Sequence, residues 1–269
     1  MATKKSFVIL MASQKGGVGK TTLAINLAIA LRYLKYDVLL IDSDIATYSI
    51  SEHLGIKGDV GNYQEALEGN MEVKDAIFAY QPLNLYLILG NLDKEIPTSN
   101  PDKINKFYGQ VTKLGYDFVI IDGQPGPFSE VVAKYVNDVI IVTNPDSTST
   151  RSAAKLGTYC DKFKLTHRLV INRAGQSKFE LETENVEKLY GDVFAVVVPE
   201  DRIIQESLQR HKPAYIIDKG ASFSLAVDDL ARIYTLKKGE SNAEGEGPES
   251  DRKRKPGFFQ KVGGWVVGR

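Results

Sequence analysis

The residues best equipped for chemistry lie between Ser13 and Thr22, in the stretch SQKGGVGKTT. Phosphate-binding loops follow the pattern G-x-x-x-x-G-K-[ST]. Glycines let backbone N–H groups approach phosphate oxygens, a lysine neutralises their charge and a hydroxyl meets Mg2+. Gly16, Gly17, Val18 and Gly19 supply such a cradle, Lys20 reaches for the β- and γ-phosphates and Thr21 ligates the metal; Thr22 joins them as a nucleotide-binding residue. Gln14 stands where the first glycine is usual, and Lys15 is a surplus cation at the mouth of the loop. Three acids follow apolar runs: Asp42 and Asp44 in LLIDSDIA, and Asp122 in VIIDGQPG. Each alone reads equally well as a turn or capping residue. Together, at strand ends, they favour holding Mg2+ and ordering water. Gly123, Pro125 and Gly126 mark a loop suited to respond to the γ-phosphate.

Positioning these groups requires strands that end where the ligand sits. SFVILMA, DVLLID, NLYLILG, DFVIID, DVIIVT, RLVIN and VFAVVVP are continuous rather than alternating apolar runs, as expected of strands buried on both faces of a parallel sheet. Between them lie helix-length segments: 21–34, 101–114 with proline at its first position, 150–162, 179–189 and 222–236. Alternating strands and helices predict an α/β, doubly wound, mostly parallel sheet with helices on both faces, its ligand at the carboxyl ends of the strands.

With these elements in place the chain resembles the deviant Walker A ATPases of the MinD/ParA family, whose mark KGGVGKT matches 15–21 and whose D-x-D matches Asp42-Ser43-Asp44. The resemblance covers about residues 5 to 236. VINR and VVVPEDRIIQESLQRHKPA carry it further: it implies that Asn172, Pro199, Glu200 and Asp201 frame the adenine. It implies ATP/ADP and Mg2+ as cofactors, with Thr21, Asp42 and Asp122 on the metal side and Asp44 orienting the attacking water. It also implies that Lys15 reaches the phosphates of a partner protomer, so that Lys15, Lys20 and Asp44 form the catalytic set and ATP holds a homodimer. The first switch, IATYSISEHLG, departs from the MinD pattern in lacking its glycine and asparagine, and Gln124 is unusual in the second; Gln14 is closer to ParA.

The globular pattern ends near Leu236, giving an ATPase domain over 1–236, a charged flexible linker over 237–257 and an amphipathic segment over 258–269. On a helical wheel Phe258, Phe259, Val262, Trp265 and Val266 share one face, and every charge from Arg252 onward is positive. That is the composition of a helix lying in a membrane interface. The expected function is an ATPase that cycles on and off the inner face of the membrane to position a cellular structure, with an activating or cargo protein as partner. The alternative is a ParA-like partition ATPase binding DNA, against which the net charge of zero counts. The lone Cys160 argues against a disulfide framework and a metal-cluster carrier, and points to a reducing, cytoplasmic setting. No signal sequence or membrane-spanning run is read. His53, His167 and His211 have no ligand spacing and read as surface or capping residues.

Overall fold

A computed structural model of the chain describes residues 5–58, 60–95, 100–176, 180, 186, 190 and 193–243, with side chains to 236. Most of the expected helix over 179–189, most of the linker and the segment 258–269 lie outside the described residues. Eight strands form one sheet: β1 (Phe7–Ser13), β2 (Val38–Asp42), β3 (Phe78–Tyr80), β4 (Leu85–Ile88), β5 (Phe118–Pro125), β6 (Asp138–Thr143), β7 (Thr166–Ala174) and β8 (Phe194–Pro199). Their order is β3-β4-β2-β5-β1-β6-β7-β8. All pairings are parallel except that of β3 with β4. The seven apolar runs are all strands. The eighth, β3, is a three-residue antiparallel edge that is too short and too exposed to show a pattern in sequence.

Both faces are buried, as continuous apolar runs demand. Ile9 and Met11 of β1 face one core, Val8 and Leu10 the other. The first core is roofed by α1 (Lys20–Tyr33) and the last helix (Ser222–Ala243), through Leu23, Leu27 and Leu31 against Phe223, Val227, Leu230 and Tyr234. The second lies under α3 (Tyr63–Glu68), α4 (Pro101–Val111) and α6 (Ser147–Lys162), through Tyr63, Phe107, Val111, Leu156 and Cys160. Asn100 caps α4 by accepting from the N–H groups of Asp102 and Lys103, with Pro101 next to it. Asp146 caps α6 through Thr148 and Ser149, so that helix starts at Ser147 rather than Thr150. The last helix continues past Leu236 to Ala243. Two short helices were not anticipated near the site, α2 (Ser49–His53) and the helix Ile203–Arg210.

Candidate nucleotide site

The central strand β1 lies between β5 and β6 and delivers the glycine loop to the carboxyl end of the sheet. Gly17 (φ 73°) and Gly19 (φ 95°) adopt left-handed backbone, which lets the chain curl before α1 begins at Lys20. Gly19 is doubly required, since a Cβ there would stand 2.2 Å from the Asn172 amide nitrogen. Asn172 donates from Nδ2 to the Val18 carbonyl at 2.7 Å and so pins the loop from β7. A bulge between Asn172 and Ala174, with Arg173 at φ 61°, accompanies that placement.

The three acids converge on the start of α1. Asp42 and Asp122 are register partners across β2 and β5, and Asp44 is buried beside them. Thr21 Oγ1 donates to Asp122 Oδ2 at 2.6 Å and lies 3.1 Å from Ser49 Oγ. Asp42 Oδ2 accepts the Ile50 N–H at 2.9 Å, docking α2 against the site. The other oxygens, Asp42 Oδ1 and Asp122 Oδ1, are buried and accept no hydrogen bond among the described residues. Burial raises the Asp42 pKa well above the usual carboxylate value, and the neighbouring Asp122 adds to it. Asp122 is pushed up to about 6 by burial and by Asp44, against the pull of Thr21 and Lys20. A buried carboxylate oxygen without a partner is costly, and each of these two acids keeps one.

A hard cation is the group that such oxygens fit. Among the described residues no cluster of three or more His, Cys, Asp or Glu side chains forms a self-sufficient metal cage. Thr21, Asp42 and Asp122 are the oxygen donors that could hold such a cation here, and Mg2+ commonly completes its shell with water and phosphate oxygens. Lys20 is 6% exposed, with its charge close enough to act on Asp122.

Lys15 is exposed, with Nζ 3.3 Å from Ser149 Oγ in the first turn of α6 and its charge acting on Asp146. The P-E-D segment leaves the end of β8 and pairs back to β7. Glu200 N–H donates to the Ala174 carbonyl at 2.8 Å. The Asp201 carboxylate accepts from Ile203 N–H, Ser222 Oγ and Phe223 N–H at 3.0, 2.9 and 3.2 Å. Burial would raise its pKa, but these hydrogen bonds outweigh it and hold the group below the usual value. The loop Gly123 to Gly126 borders a groove of about 200 Å3 lined by Ile45, Tyr63, Ile104, Tyr108 and Phe128.

The model of the CobQ/CobB/MinD/ParA nucleotide binding domain matches residues 9–214 of this chain, and the matched span contains the whole loop and all three acids. The chain belongs to this family. Within it the chain is MinD-like. It is 30% identical over 237 residues, 84% of its length and 86% of the relative's, to a putative septum site-determining protein MinD of Emiliania huxleyi. A MinD structure from Pyrococcus horikoshii, complexed with Mg-ADP, superposes with a TM-score of 0.80 at 28% identity, covering 87% of this chain and 98% of that one. The cell division ATPase MinD of Pyrococcus furiosus gives 0.78 at 30%, covering 86% and 99%.

Two family-site neighbours escaped the sequence reading. Ser49 and His53 touch the α1 hydroxyls from the atypical first switch, and no motif announces them. His211 is the left-handed cap of its helix (φ 49°), in keeping with its reading as a cap residue. Among the described residues, no helix is long and apolar enough to cross a membrane.

Proposed function

We propose that the protein is a Mg2+-dependent ATPase that dimerises with ATP and cycles on and off the inner membrane face to position a cellular structure. The observation that carries the nucleotide part is the pair of unsatisfied carboxylate oxygens, Asp42 Oδ1 and Asp122 Oδ1, beside Thr21 and the glycine loop. Bound Mg2+ would offset phosphate charge and orient the phosphate chain. Backbone N–H groups of Gly16, Gly17, Val18 and Gly19 and the Lys20 ammonium bind the phosphates. Asn172 and the backbone of Pro199, Glu200 and Asp201 frame the adenine. Asp44 orients water for in-line attack.

Lys15 leaves its own Ser149 and reaches the phosphates of a second protomer, so ATP and the dimer require each other. The residues 258–269 then supply two weak membrane anchors per dimer, which bind together far better than one. The turnover is slow until a partner protein stimulates it. Lys15→Ala is expected to abolish ATP-dependent dimerisation in light scattering while ADP binding persists; an ATP-induced dimer of that variant rules out the role in trans. In liposome sedimentation, equal binding with ADP and ATP would remove the membrane switch.

A further inference from the structure

The first two hydroxyls of α1 are both held from α2. Thr21 meets Ser49, as above. Thr22 Oγ1 lies 3.4 Å from His53 Nε2, and His53 Nδ1 lies 2.8 Å from the Ser49 carbonyl oxygen. A carbonyl only accepts, so Nδ1 carries a proton and donates it to Ser49. In a neutral imidazole that leaves Nε2 as an acceptor, and the Thr22 hydroxyl is its donor. The surroundings favour the neutral ring. It is largely withdrawn from water, and burial lowers its pKa more than the Ser49 carbonyl and Glu52 raise it. His211, whose Nδ1 is 2.7 Å from the Glu52 carbonyl, adds a further push in the same direction.

Thr22 has one proton to give. We infer that His53 is a positioning residue that tethers α2 to α1 through the Thr22 hydroxyl, and that a nucleotide phosphate taking that hydroxyl's proton releases the tether. The inference rests on the nucleotide reading, which places Thr22 among the nucleotide-binding residues. With its proton directed to phosphate, the Thr22 oxygen faces the bare Nε2 lone pair, and the attraction between them is lost. The first switch thus senses occupancy on the phosphate side of α1 through a histidine, independently of the Asp42–Ile50 contact at its other end.

The test uses the full-length protein, Mg2+ and the fluorescent nucleotide mant-ADP. Ring 15N spectra resolve three histidines, with His53 assigned by its loss in His53→Asn. In wild type, saturation with mant-ADP is expected to move His53 Nε2 toward the shift of an unprotonated nitrogen without a hydrogen bond, while Nδ1 stays protonated. His53→Asn keeps a donor for the Ser49 carbonyl and removes Nε2. It is expected to bind mant-ADP about 2–5-fold more tightly, the scale of one modest hydrogen bond. Binding of mant-ADP with unmoved His53 nitrogens overturns the tether. Unchanged affinity of His53→Asn overturns it too. Absence of mant-ADP binding by wild type is a different failure, which overturns the nucleotide reading itself.

Discussion

Two sets of acids look alike in the sequence and are opposites in the fold. Asp42 and Asp122 end strands of the central sheet, and each keeps one buried oxygen with no partner among the described residues. Asp201 stands at the end of the P-E-D segment with three donors on its carboxylate, tying the start of the helix Ile203–Arg210 to the start of the last helix. Burial drives the first pair toward the neutral form, and hydrogen bonds drive the second toward the charged form. The contrast separates a binding centre from a scaffold. On the proposed reading, the groups left wanting are those that meet the ligand, whereas the satisfied Asp201 holds the walls.

The sharpest way to break this comparison is Asp122→Asn. Mg2+-dependent ATP hydrolysis is expected to fall about 100-fold or more, the scale of losing a preorganised catalytic group. Hydrolysis within a few-fold of wild type would place Asp122 with the scaffold instead. The same variant in chelator, without nucleotide, should melt about 3–6 °C higher at pH 8, because it no longer buries a charge. Asp201→Ala should do the reverse. Its melting temperature should drop by about 2–6 °C for the loss of a doubled helix cap. The smallest effects are in pH. The folded-state pKa of Asp122, about 6, exceeds its unfolded value, so its relative stabilisation is present at low pH and lost as pH rises through 6. The gain from Asp122→Asn should therefore appear between about pH 4 and pH 7 in thermal melts. Asp201 is shifted down, so it stabilises above the unfolded carboxylate pKa and its contribution fades on acidification. The deficit of Asp201→Ala should shrink below about pH 4.

The sequence made the sheet legible because the inner strands β1, β2, β5 and β6 are buried on both faces and so read as unbroken apolar runs. It made the loop legible because glycines, lysine and threonine must stand at fixed spacing to meet a phosphate. Partners chosen by tertiary packing were not legible. Nothing local says that Asn172 pins Val18, that Asp201 serves two helices, or that Ser49 and His53 lie over the first turn of α1. Five-residue α2 has no periodicity to reveal it, and Tyr48 before it is left-handed (φ 42°), its ring packed where a Cβ on Gly90 would stand.

The edges of the sheet bear on how the protein behaves in a crowd. Exposed strand edges invite other chains to pair and aggregate. One edge here is only the three residues of β3, turned against its neighbour's direction, and at the other the last helix packs against β8. The β3 edge thus offers another chain only three residues of backbone to pair with.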